Sequence, residues 1–315
     1  MSAEQLAGLS DNLVLATVLL YLVAMIGFAM ELAFGKARGN VSAAAKRRVP
    51  LAAASSGGVA VKEPETAVAD TPEPPAWALK AGTAAVALGW LGWAANLAAI
   101  VTLGLAVERW PWGNMYEFVL ALCCAAVTAF LVTQLRQNIR FLGAFVMVAA
   151  TLGIGFAVKY LYVQAGPVVP ALDSYWIAIH VSAAIIASGL FTLAGVAGIL
   201  YLVRREGLSR LPTRAELERV AHRAIVLAFP LWTFAVIAGA LWADKAWGRY
   251  WGWDPKEVWA FITWIAYAAY LHARATAGWR GRSVTIVQLV AFGCLLFNLV
   301  GVNIFLGGLH SYSGL

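Results

Sequence analysis

Four histidines, His180, His222, His272 and His310, are the side chains with the most chemistry in a 315-residue chain that is otherwise largely apolar. A histidine in an apolar run is more often a satisfied core residue than a ligand. Ionisable groups inside membrane spans are nevertheless costly, and they mark function by default. Depth separates the four. His180 lies five residues after Tyr175, near one end of an apolar run, and His310 lies four residues beyond the last such run. The two reach the same end of the molecule from 130 positions apart, so no local metal motif joins them. Two imidazoles from separate helices are still a donor set for the axial positions of a six-coordinate haem iron. Zinc fits less well, because it takes four N or S ligands, or three plus water. His272 lies about 25 Å along a helix from Pro255, too far to share that iron. His222, between Ala221 and Arg223, reads as a polar interface residue.

A second concentration of chemistry is the stretch Trp247-Gly-Arg-Tyr-Trp251-Gly-Trp253-Asp254-Pro-Lys-Glu257-Val-Trp259. Trp and Tyr gather where one end of a ring is apolar and the other wet. An aromatic belt anchoring a helix end accounts for isolated tryptophans. The density here points to a platform for a flat apolar ligand with polar edges. Trp247, Trp251 and Trp253 are rings that can stack on or edge such a ligand, and Arg249 and Lys256 are cations that can meet polar groups at its edge. Asp254, before Pro255 and three residues before Glu257, also reads as the N-cap of a helix. The cysteines Cys123, Cys124 and Cys294 fall in apolar runs, and no Cys-x-x-Cys occurs. A thiol redox pair is therefore excluded, and so is a covalent haem attachment site on the chain itself.

The elements that must position these groups are membrane spans. The chain is 62% hydrophobic and 12% charged, with a mean hydropathy of +0.75, against about 45–50% and ~25% for soluble domains. The fold class is all-α and polytopic, with eight spans near 13–34, 81–107, 116–135, 141–163, 175–203, 224–242, 258–275 and 284–306. The N-terminal run lacks a basic n-region and is too long for a signal peptide, so it reads as a retained helix, 1–34. Residues 35–76 are rich in Ala, Ser, Pro, Gly and Glu and read as a disordered cytoplasmic linker, which leaves the first helix loosely tethered. Residues 77–315 form the core, with the aromatic stretch at 247–264. Of 23 Lys and Arg residues, 18 fall in 35–80, 136–140, 204–223 and 274–282. The positive-inside rule puts those segments in the cytoplasm, and both termini and the aromatic stretch outside. The net charge of +7 is then a loop property, not a sign of nucleic-acid binding. Thr213-Arg-Ala-Glu216 is a capping box that opens an amphipathic surface helix, with Leu217, Val220, Ala221, Ala224 and Ile225 on one face.

Trp247 to Glu257, followed by Trp259-Ala-Phe-Ile-Thr-Trp264 and Tyr270-Leu-His272-Ala-Arg274, resembles the WWD domain of the CcsA/ResC family of haem-handling proteins, labelled CcsB in some bacteria. Three further stretches are similar to it: Trp112-Gly-Asn-Met-Tyr-Glu117, Pro167 to Ser182, and Gly301 to Tyr312. The resemblance implies cytochrome c maturation by System II in a bacterial cell membrane. A CcsB/ResB-type membrane partner, apocytochrome c with its Cys-x-x-Cys-His, and thiol-reducing proteins are the implied partners. Haem b is taken from the cytoplasmic side and presented outside for thioether attachment, which makes the chain the haem-presenting subunit of a holocytochrome c synthase complex. By motif, His180 and His310 fall on the two external ligands and His272 on an inner one, whose companion comes from the partner. The competing readings are a System I protein of CcmC or CcmF type, a secondary transporter, and a structural scaffold. No inverted repeat supports the transporter, and a scaffold leaves the outer histidines unexplained.

Overall fold

The computed structural model describes residues 1–35, 74–168, 170–172, 174–205, 211–276 and 278–310. These residues are helical, with no strand among them. In chain order the helices are α1 (Ala3–Phe34), α2 (Ala76–Val107), α3 (Met115–Arg136), α4 (Gly143–Phe156), α5 (Tyr175–Val203), α6 (Arg214–Trp247), α7 (Pro255–Ala275), α8 (Arg282–Leu296) and the short α9 (Val302–Phe305). A 3-10 turn at Arg140–Leu142 leads into α4, and π turns at Ala157–Leu161 and Phe297–Gly301 extend α4 and α8. Most of residues 35–76, read above as a linker, lie outside the described residues.

Side-chain caps fix the helix starts where the sequence places them. Thr213 and Glu216 form the capping box of α6, and Asp254 and Glu257 that of α7, with Pro255 at its first position. Asn114 and Ser174 cap α3 and α5.

Seven helical stretches among the described residues are long and apolar enough to cross a membrane, and α7 is not one of them. Its tryptophans, tyrosines and terminal charges dilute its apolar character, but its path supplies what its composition lacks. Its first residues meet His310 beside the end of α6, through Asp254 and Trp247. Its last turn meets the start of α6, through the Arg274–Glu218 ion pair. Helix α7 therefore runs antiparallel to α6 along its length, and its 21 residues rise about 31 Å, the thickness of a bilayer core at ~30 Å. With α7 counted, eight helical stretches among the described residues are long enough to span a bilayer core. The start of α1 and His310 then lie at the same end of the bundle, as the Asp11–Tyr162 hydrogen bond of 3.1 Å next to Tyr116 also requires.

Two sequence expectations change. Helix α1 is not loosely attached: Ser10, Thr17, Tyr21, Ala24 and Phe28 are buried against α2 and α4. The Ser10 hydroxyl donates to the Ala99 carbonyl of α2 at 2.9 Å, interhelical bonding suited to a medium without water. The segment from Arg214 is not a separate surface helix either. Leu217, Val220, Ala221, Ala224 and Ile225 are buried, and their stripe continues through Ala228, Trp232, Ala235 and Trp242 on the same helix. Pro230 lies within this stretch, where its missing N–H interrupts the backbone ladder without ending the helix.

Candidate functional site

At the end of the bundle where α5 begins and α6 finishes lies a cavity with an empty volume of about 1130 Å³, open solvent at its mouth included. Its walls come from the α2–α3 loop at Trp112, the first turns of α5, the second half of α6, the aromatic stretch and the π turn after α8.

Both His180 and His310 line it. Nδ1 of His180 donates to the Ala235 carbonyl on α6 at 2.8 Å. Nδ1 of His310 donates to Oδ2 of Asp254 at 2.7 Å. A carbonyl and a carboxylate only accept, so each ring carries its proton on Nδ1, and Nε2 is its basic nitrogen. Metal-ligating histidines are held in the same way, by a carboxylate or a backbone carbonyl on the second nitrogen. Trp242 touches both rings: it lies parallel to His180 at 6.1 Å between centroids and edge-on to His310 at 5.7 Å. Trp247 packs at 4.7 Å from Trp242 and 5.1 Å from His310. Gly239 admits the His180 ring to the surface of α6, for a Cβ there would stand 2.7 Å from Cε1.

Asp254 does more than cap α7. Its buried carboxylate accepts from Lys256 N at 3.1 Å and Leu309 N at 2.6 Å, besides His310. Burial alone would raise its pKa, but the hydrogen bonds from His310 and Leu309 outweigh that and hold the carboxyl below its ordinary range. Glu257 accepts from Gly252 N at 2.8 Å and Asp254 N at 3.1 Å, which closes the aromatic stretch onto the start of α7. Gly308 lets the segment before His310 lie on this corner, since a Cβ there would fall 2.4 Å from Asp254 Oδ1.

The rest of the lining is apolar with a few convergent polar groups. Lys256 Nζ donates to Asn303 Oδ1 at 3.0 Å. Trp112 Nε1, Asn298 Oδ1 and Glu257 Oε1 are buried without a protein partner, and all three residues line this cavity. The outer wall is braced by Arg109, which makes a two-pronged ion pair with Glu117 at 2.9 and 2.8 Å and donates to the Gly166 carbonyl at 3.1 Å.

Of the residues singled out from the sequence, His180, His310, Trp247, Trp251 and Lys256 share the cavity, and Asp254 supports it through His310. Trp253 and Arg249 are not among its lining residues. Trp253 has φ +60° and is 71% exposed, and the Arg249 guanidinium lies over Gly252. His272 is exposed near the opposite end, on an outward stripe of α7 with Phe261, Ile265 and Ala269. Nδ1 of His222 meets the Tyr270 hydroxyl at 3.3 Å at that same end. Sequence reasoning missed Ala235, Gly239 and Trp242, and the Asp254–His310 contact. A carbonyl acceptor leaves no mark in residue type, and Trp242 lay unremarked in an apolar run.

No group of three or more His, Cys, Asp or Glu side chains among the described residues is placed to hold a bare metal ion. Two imidazoles instead suit a metal whose remaining positions are already filled by a planar ligand.

Residues 112–310 match the family model described as "Cytochrome C assembly protein". Among curated proteins, a protein of Chlamydomonas reinhardtii named "Cytochrome c biogenesis protein CcsA" is 36% identical over 69% of this chain and 65% of its own length. The chain thus spans just under two thirds of that relative. Proteins of the same name from Trieres chinensis and Synechococcus elongatus are 31% and 33% identical, over 73% and 72% of this chain and 91% and 87% of their own lengths.

Proposed function

The chain belongs to the cytochrome c assembly protein family as a CcsA-type member, and from that premise we propose that its cavity holds haem b and presents it to apocytochrome c. One observation carries the proposal. Two histidines 130 positions apart line one cavity, each oriented through Nδ1, His180 by a backbone carbonyl and His310 by a carboxylate.

The residues present fit the group. His180 and His310 would hold the iron, Trp247 and Trp251 would border the ring, and Lys256 would meet a propionate. When bound, haem supplies the vinyl groups at which thioethers form with the recipient's cysteines. The chain's own part is positional. The two imidazoles would bind and orient the group, the aromatic walls exclude water, and the open mouth admits the recipient. The recipient's thiols bring their own nucleophilicity, so the chain's part is to hold the group within their reach.

The distribution of Lys and Arg supports an external location for this cavity. A CcsB/ResB-type partner would dock on the outward stripe of α7, where exposed His272 would ligate haem arriving from the cytoplasm.

The absorption spectrum of the purified protein, with and without its partner, tests the site. His180→Ala or His310→Ala should convert a low-spin six-coordinate spectrum to a five-coordinate or water-ligated one, and stop cytochrome c maturation while the protein still inserts. His222→Ala should do neither, and His272→Ala should lower total haem without altering outer ligation. An unchanged low-spin spectrum at full occupancy in both outer variants would refute the pairing.

A further inference from the structure

The two imidazoles of the cavity are not chemically equivalent. Nδ1 of His180 donates to the neutral carbonyl of Ala235, whereas Nδ1 of His310 donates to the carboxylate of Asp254. Hydrogen bonds to an ionised acceptor are roughly twice as strong as neutral ones, and a carboxylate behind an imidazole raises its basicity as a ligand. His310 is therefore the stronger donor to a metal, and His180 the weaker.

Mobility has to be weighed against this. His180 sits on a long helix, and His310 on a short segment after the last one, which by itself would make His310 the easier to dislodge. The structure removes that advantage. Both carboxylate oxygens of Asp254 grip the segment, Oδ1 through Leu309 N at 2.6 Å and Oδ2 through His310 at 2.7 Å. Asp254 is itself fixed as the N-cap of α7, with its side chain 2% exposed. Gly308 sits so close to this carboxylate and to Pro255 that any side chain would be displaced.

Resting on the function proposed above, we infer that His180 is the ligand that yields to the recipient and that His310, backed by Asp254, holds throughout the transfer. A c-type attachment site, Cys-x-x-Cys-His, carries its own imidazole. His180 gives up one coordinate bond and the recipient's histidine makes one. A neutral donor leaves, a neutral donor enters, and no proton or electron moves. Asp254 is then a positioning residue, acting through His310 and not by touching the cargo.

Carbon monoxide is the probe, since on the reduced, haem-loaded protein it takes the place of the more weakly held ligand. Its stretching frequency reports the imidazole opposite. The wild-type adduct should show the frequency of the His180→Ala adduct, in which His310 is the only imidazole left. A match to His310→Ala instead overturns the assignment.

Asp254→Asn gives a second readout. Asn caps a helix as well as Asp, so α7 keeps its start while the charge is lost. The variant's adduct should move to higher frequency, and its reduction potential should rise by roughly 59 mV for each tenfold loss of preference for ferric over ferrous iron. An adduct frequency and a potential both unmoved by this substitution would sink the role given to Asp254. Wild-type protein that carries haem without a six-coordinate spectrum would sink the proposed function itself, so the two failures are distinguishable.

Discussion

Gly239→Ala is a demanding test of the cavity, because it changes neither histidine and lies on a different helix from either. The new Cβ would stand 2.7 Å from His180 Cε1 and 2.8 Å from Nδ1. Ordinary carbon contacts are about 3.5–4.0 Å, so the ring must withdraw from α6 by roughly 1 Å. Ala235, whose carbonyl takes the Nδ1 proton at 2.8 Å, lies one turn earlier on that same helix. Withdrawal from Gly239 is therefore withdrawal from the acceptor that orients the ring. Stability should change little: overpacking costs about 1–3 kcal/mol, while replacing a helical glycine by alanine returns about 1 kcal/mol. The net loss lies between about zero and 2 kcal/mol. The protein should insert and unfold within a few degrees of the wild type, yet show the same loss of low-spin absorption that is expected of His180→Ala. Gly293→Ala in α8, where a Cβ meets nothing within 4 Å, is the matched control and should leave the spectrum intact. A Gly239→Ala protein with unchanged low-spin absorption at full occupancy would show that His180 does not ligate from this position.

Other expectations follow from the bracing of the cavity and from its charge. Glu117→Ala strands Arg109, whose side chain is only 16% exposed, and should cost about 3–5 kcal/mol in thermal unfolding in detergent. Arg109→Met combined with Glu117→Leu should recover most of that loss, and a double variant as unstable as the single one would count against the ion pair as the cause. Lys256→Met should weaken haem retention about tenfold or more, the worth of one charge-assisted hydrogen bond, without altering axial ligation; a titration showing unchanged affinity would remove Lys256 from the site. Reporter fusions after residues 210 and 315 should report cytoplasmic and external locations respectively, and the opposite pattern would move the histidines to the wrong side.

Much of the architecture is legible in the sequence, because a bilayer leaves the chain few options. A span must satisfy its backbone internally, so long apolar runs become helices, and the caps at Thr213 and Asp254 fall where residue types place them. The convergence of His180 and His310 follows from depth alone. What escapes is whatever depends on neighbours in space. That α7 runs the length of α6 is shown by its contacts at both ends, not by its composition. The buried stripe of α6 looks like a surface helix until its continuation past Pro230 is seen. Trp251 turns inward and Trp253 outward because of the backbone at 253, where φ is +60°, and non-glycine residues adopt that region in only a few per cent of cases. Asp254 announces its role as a cap, but its grip on His310 joins positions more than fifty residues apart.

Trp242 touches both imidazoles and Trp247 at once, and this has an optical consequence. An indole excited in the near ultraviolet transfers its energy efficiently to a strongly absorbing neighbour at contact distance. Emission from Trp242 and Trp247 should therefore be extinguished first as the cavity fills. Trp279 lies beyond the far end of α7 and should be quenched least. A protein reduced to Trp242 as its sole emitter would report filling and discharge of the cavity in real time, without any attached dye.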